Sequence, residues 1–154
     1  MLTEPLITSL EGRRPGAGLR WLTGLAIIIA ACATAARQPP TDVYWRLAEL
    51  DGAPVASVAG REPHLRLSAE GERVAGFTTC NNFFGRYEAP GGARLRFAQL
   101  GSTKMACVDA VLARQEQRFM GALQRVEGFA VVGDTLILLE GRSPVARFVA
   151  GQPR

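Results

Sequence analysis

From Asp42 onward the chain is written in short alternations of apolar and polar residues, the period of half-buried strands, broken by glycine-bearing turns. In residues 43–50, "VYWRLAEL", Tyr44, Arg46, Ala48 and Leu50 fall on one face and Val43, Trp45, Leu47 and Glu49 on the other. Asp51 and Gly52 then turn the chain. "HLRLSAE" and "RVAGFTT" flank Gly71 and read as a hairpin, and "RLRFAQLGS" follows the "PGG" turn at residues 90–92 as a further strand. Between residues 108 and 126 the period changes. Val108, Val111, Leu112, Phe119, Ala122, Leu123 and Val126 line one face of a helix, with Arg114, Gln117, Arg118 and Arg125 turned away from it. Asp109 lies in its first turn, where the helix dipole favours an acid, and Gly128 stops it. "FAVVG", "DTLILLE" and "PVARFVA" follow as strand-like runs with turns at residues 133–134 and 141–143. About seven strands and one helix in roughly 110 residues predict a β-rich α+β domain. Its architecture is a small curled antiparallel sheet or partly open β-barrel with one amphipathic helix packed on it.

The first 41 residues have another character. Arg13, Arg14 and Arg20 precede the apolar run "WLTGLAIIIAA", residues 21–31, which has signal-peptide length and is short for a bilayer span. It ends in "IAAC", residues 29–32, which resembles a bacterial lipobox: a branched apolar residue, two small ones, then a cysteine whose thiol receives the lipid. A plain secretory signal with a chance cysteine is the alternative reading. The organisation expected is a lipoprotein signal peptide over 1–31, a lipidated Cys32 with a flexible tether to residue 41, and a folded domain over 42–151. The long leading segment, with Glu4 and Glu11, points to a translation start downstream of Met1. The partner this implies is a membrane, reached through the lipid.

Composition narrows the classes further. The chain has 154 residues, 47% of them hydrophobic, and a formal charge of +4 carried almost wholly by arginine, since Lys104 is the only lysine. That length supports one domain with a core. Arginines scattered without interleaved aromatics give no footprint for nucleic acid. No repeat period is present. With three cysteines and one histidine in the chain, Cys80, Cys107 and His64 fall short of a zinc set and lack paired spacing, so neither metal nor cofactor is expected. With Cys32 assigned to lipid, parity in an oxidising compartment favours a Cys80–Cys107 disulfide, against the alternative of two buried free thiols. His64, alone at a strand entry, is read as a solvated edge residue.

The densest motif is "TTCNNFFGRY", residues 78–87, with Gly76 just upstream. Asn81 and Asn82 are suited to bond nearby backbone and to tolerate left-handed conformations, Phe83 or Phe84 to anchor the turn in the core, and Gly85 to take a positive φ. The run reads as a demanding turn. A thiol hydrolase built on Cys80 would need a base, and His64 is the only histidine. In "STKMAC" Ser102 and Lys104 would share a strand face as a Ser–Lys pair, but Ser102 or Thr103 just before a helix reads better as its cap. Glu116, between Arg114 and Arg118, reads as part of a solvated helical face.

"YWRLAEL", "GFTTCNNFFGRYE", "LGSTKMAC", "QEQRF" with its following leucine, and "DTLILL" occur in the order seen in the META domain, or HslJ-like, family of bacterial envelope proteins, which the chain resembles from Tyr44 to Val149. Gly76, Asn81, Gly85, Thr103 and Glu116 lie in these motifs. Thr79 stands where the family commonly has glycine. The resemblance implies lipocalin-like curvature with an inserted helix, export or lipid anchoring, a link to heat-shock and envelope stress, and no enzymatic activity. The expected protein is a non-enzymatic, lipid-anchored envelope protein that supports stress tolerance by binding or scaffolding an envelope partner. In a Gram-negative host, Ala33 after the lipidated cysteine directs it to the outer membrane, facing the periplasm. The alternatives are a hydrolase using Cys80 or Ser102 and Lys104, and a carrier of a small hydrophobic ligand lined by Leu112, Phe119 and Leu123.

Overall fold

The computed structural model describes residues 38–57 and 61–152. The signal segment 1–31, Cys32 and the tether as far as residue 37 lie outside the described residues. Among the described residues no helix is long and apolar enough to cross a membrane. The chain forms β1 (Tyr44–Leu50), β2 (Ala53–Pro54), β3 (His64–Ser68), β4 (Arg73–Phe77), β5 (Asn82–Gly91), β6 (Arg94–Ser102), α1 (Ala110–Arg125), β7 (Gly128–Val132), β8 (Thr135–Glu140) and β9 (Ser143–Gly151). A 3-10 turn, Glu70–Glu72, joins β3 to β4.

All strand pairings are antiparallel, in the order β2-β1-β3-β4-β5-β6-β7-β8-β9, and β1 also pairs with β9. The sheet therefore curls round until its ends meet. It is ring-like without being a barrel, because two of its seams are thin: β6 meets β7 in one register pair, Arg94 with Gly128, and β1 meets β3 in two. The expected β-rich α+β class and curled antiparallel sheet are what the chain adopts, with nine strands. β2 is a two-residue pairing at the Asp51–Gly52 turn, too short for a periodicity to announce.

Alternation places the core as expected along most strands. β5 buries Phe83, Tyr87 and Gly91 and exposes Phe84, Arg86 and Glu88, while β3 buries Leu65 and Leu67. β1 departs from strict alternation: Trp45 and Leu47 are buried, and so is Leu50. The register against β9 shifts between Leu47 and Glu49, so one extra residue turns Leu50 to the face opposite to the one its parity predicts. Pro39 is buried ahead of β1, and the Asp42 N–H donates to Leu67 O at 2.7 Å.

The helix fills the inside of the curl. Phe119, Ala122 and Leu123 are fully buried, and the Phe119 ring meets Phe83 edge-on at 5.7 Å and Phe148 at 6.0 Å between centroids. Its start differs from the sequence reading. The helix begins only at Ala110, which leaves Val108 outside it and 99% exposed, and Val111 in its first turn is 57% exposed. Asp109 is its N-cap, accepting from the N–H groups of Val111 (2.7 Å) and Leu112 (3.1 Å), so the expected cap at Ser102 or Thr103 is corrected. The arginines turned outward hold the β1–β2 turn: Arg118 and Arg125 pair with Asp51 at 3.4 and 3.1 Å, and Arg125 also reaches Glu140 at 3.0 Å.

Candidate functional site

β4 ends at Phe77 and β5 begins at Asn82, so residues 78–81 must turn within four positions against the helix. Thr78, Thr79 and Asn81 are all buried, and every buried polar group there needs a partner. Asn81 is satisfied at every valence. Its Oδ1 accepts from the Met105 N–H (2.7 Å) and Thr103 Oγ1 (2.8 Å), and its Nδ2 donates to Met105 O (3.2 Å) and Glu116 Oε1 (2.9 Å). Two donors and two acceptors are the whole capacity of an asparagine amide. Its backbone N–H donates to Glu116 Oε2 at 3.1 Å, and its carbonyl accepts from the Thr78 N–H at 2.9 Å.

The Thr78 hydroxyl has one proton and two acceptors in reach, Asn81 O at 2.9 Å and Glu116 Oε2 at 2.8 Å. The carboxylate is the stronger acceptor, and Asn81 O is already met by the Thr78 N–H. Glu116 thus receives three donors from one turn and is no part of a solvated face. One helical position earlier, Gln115 is buried and mimics a strand. Its Oε1 accepts from the Ala56 N–H and its Nε2 donates to Ala56 O, both at 2.8 Å, and Nε2 also donates to Thr79 Oγ1 at 3.2 Å. Cys80, in the same turn, is joined to Cys107 across 27 residues with Cα atoms 5.6 Å apart. The bridge ties the turn to the segment that leads into the helix.

Three segments distant in sequence are therefore knotted at one end of the sheet: the β4–β5 turn, residues 103–107 after β6, and the first half of α1. Asn81, Thr103, Glu116, Cys80 and Cys107 are brought together there. Gly76 and Gly85 stand on the flanking strands and serve close packing. A Cβ at Gly76 would strike His64 O and lie 2.6 Å from the Phe83 ring, and one at Gly85 would lie 2.9 Å from Ala98 O. Gly85 has no positive φ; in this turn that conformation belongs to Thr79, at 155°. Phe83 is the core anchor and Phe84 faces out.

Gln115 was not legible as a site residue. Its signal was its place on the stripe formed by Val111, Phe119 and Ala122, where a polar residue demands a buried partner. Cys80, being disulfide-bonded, has no thiolate to offer. Ser102 pairs with Phe83 as the last residue of β6, and Lys104 is exposed.

His64 lies elsewhere and is not at a sheet edge. It is paired with Arg46 on one side and Phe77 on the other, stacks on Tyr44 at 4.4 Å, and its Nδ1–H donates to Glu62 O at 2.9 Å. The Tyr44 phenol is raised above its usual range by burial and by the Glu62 carboxylate, with Arg46 pulling the other way. Arg61 lies over the Phe77 ring at 4.4 Å. The cluster is a packed aromatic stack.

Two solved structures share this architecture. An NMR structure of a protein from Burkholderia xenovorans matches with a TM-score of 0.57 at 24% identity, over 75% of this chain and 93% of that one. A second protein solved by NMR matches with a TM-score of 0.55 at 19% identity, over 70% of this chain and 88% of that one. At such identities the likeness is one of fold. No curated protein matches the chain. The META domain family model matches residues 38–152, a span that takes in every strand, the helix, the disulfide and the whole polar knot, and on that match the chain belongs to the META domain family.

Proposed function

We propose that this META domain protein is a lipid-anchored component of the bacterial cell envelope that acts by binding or scaffolding in heat-shock or envelope stress, and that it is not an enzyme. The observation that carries the reading is the Cys80–Cys107 bridge. A structural disulfide belongs to an oxidising compartment, and it accounts for two of the chain's three cysteines, leaving Cys32 in its "IAAC" context as the lipid acceptor. The polar groups that a catalytic reading would recruit, Asn81, Gln115 and Glu116, are engaged with one another and with backbone. In a Gram-negative host the protein faces the periplasm from the outer membrane. Replacing Cys32 with alanine is expected to abolish acyl labelling and membrane fractionation. A Cys32→Ala protein that still partitions with membranes defeats the anchor, and saturable labelling of Ser102 in folded protein by a serine-reactive probe defeats the non-enzyme assignment.

A further inference from the structure

The outward face of β3–β6 carries a feature that neither the fold nor the polar knot requires. Strand register sets two rows across this face. Arg66, Ala75, Phe84 and Gly101 form one, and Ser68, Arg73, Arg86 and Ala98 the other. Arg73 and Arg86 are thus directly opposed, an arrangement of like charges that works against sheet stability. Phe84 sits beside them, 58% exposed at the middle of a strand. Arg66, Arg73, Arg86 and Phe84 line a single groove of about 580 Å³, in the size range of small-ligand sites. Among the described residues none of these three arginines is in an ion pair, and Arg86 donates to Gly71 O at 3.2 Å. Asp42 is also in the lining of the groove. The β5–β6 register shifts between Phe84 and Arg86, and Gln99, also in the lining, has a φ of 53°. This is the irregularity by which a strand re-aims its side chains.

We propose that this groove binds the headgroup of an anionic phospholipid, with the phosphate held by Arg73, Arg86 and Arg66 and the glycerol and first acyl carbons lying on Phe84 and Ala75. Guanidinium groups present planar forks that match phosphate oxygens, and three of them round one groove exceed what a single carboxylate partner would need. An apolar shelf beside the charges fits an amphiphile better than a free anion. An extended acidic peptide would be captured by backbone pairing at a sheet edge, and here each of these strands is already paired on both sides. The choice of a lipid over a soluble phosphate ester rests on the envelope reading above. Asp42 lies ten residues beyond Cys32, so an anchored chain holds the groove within about 35 Å of the bilayer even when fully extended.

The test uses the purified, unacylated full chain and monomeric dihexanoyl phosphatidylglycerol below its micelle concentration, titrated by calorimetry. Glycerol phosphate and dihexanoyl phosphatidylcholine are the comparison ligands. Saturable binding of the anionic lipid is expected, weaker by about tenfold or more for the zwitterionic lipid and in the Arg73→Gln/Arg86→Gln variant, since charge-assisted contacts are lost. Phe84→Ser is expected to weaken lipid binding and to leave glycerol phosphate unchanged. Circular dichroism of both variants should match the parent, because the altered side chains are exposed. No saturable binding, binding undiminished in the double arginine variant, or glycerol phosphate binding as tightly as the lipid overturns the proposal. So does an acidic peptide that binds through the same arginines where the lipid does not. Because neither protein nor ligand is membrane-bound in this experiment, its outcome is independent of whether Cys32 carries an anchor.

Discussion

Thr79 has a φ of 155°, in the region that glycine enters freely and a β-branched residue avoids. The family resemblance puts glycine at this position, and the backbone shows why. The conformation persists because the turn is fixed from both sides and because Thr79 Oγ1 accepts from Gln115 Nε2. Strain of this kind costs about 1–3 kcal/mol, and a buried donor left without its acceptor costs about as much. Thr79→Gly removes the strain, and the space it opens admits a water to Gln115, so its stability should stay within about 1 kcal/mol of the parent. Thr79→Val keeps the strain and strands the donor, at a cost of about 1–3 kcal/mol. Urea unfolding of the two variants decides the order; a valine variant more stable than the glycine one would refute this account. The turn role of Asn81 was legible from residue type, whereas Gly85, expected to take a positive φ there, is a strand residue kept small by Ala98 O and Leu100. The partners of Asn81 were not legible, since Met105 lies 24 residues on and Glu116 35 residues on, distances across which no local pattern carries information.

At the scale of elements, long periodic runs were legible and their ends were not. The helix follows its apolar stripe from Leu112 to Leu123, but "STKMAC" offers two hydroxyls before the true cap, and Val108 and Val111 extend the pattern into a segment that is not core. In β1 the extra residue near Ala48 is invisible to a count of period two, which is why Leu50 turns up inside. Thr103 illustrates the same lesson. Its hydroxyl, read as a helix cap, joins the polar knot, donating to Asn81 Oδ1 and accepting from the Asn82 N–H at 3.2 Å. The disulfide stabilises this junction through the unfolded chain. A closure of 27 residues removes loop entropy worth about 3–4 kcal/mol at room temperature. The Cys80→Ala/Cys107→Ala protein should unfold at correspondingly lower urea and with a steeper slope against denaturant, because the unlinked unfolded chain exposes more surface, and the parent should fall to the same midpoint when fully reduced. Reduction without effect on the midpoint would mean that the knot holds the turn by hydrogen bonds alone.

For the molecule as a whole, closing the curl through β1 and β9 creates an interior, and the question is what fills it. The sequence left two answers, a complete core or a cavity for a hydrophobic ligand lined by Leu112, Phe119 and Leu123. Leu112 is half-buried at the rim, whereas Phe119 and Leu123 are fully buried, and Phe119 lies between Phe83 from β5 and Phe148 from β9. The helix therefore acts as the plug that joins the two sides of the ring, and the thin β6–β7 seam, next to the helix in sequence on both sides, depends on that plug more than on its own ladder. Removing the ring should accordingly do more than open a void. Phe119→Ala is expected to cost about 3–5 kcal/mol, the range for deleting a buried phenylalanine without full collapse of the surroundings. It should also raise amide exchange at Leu95 and Phe129, whose N–H groups bond across the seam to Glu127 and Ala93. A neutral apolar dye should find no stoichiometric site in the parent protein. Tight binding of such a dye by the parent, with less than about 1 kcal/mol lost on truncating Phe119, is the result a ligand-filled interior would give, because a side chain lining an open pocket has few contacts to lose.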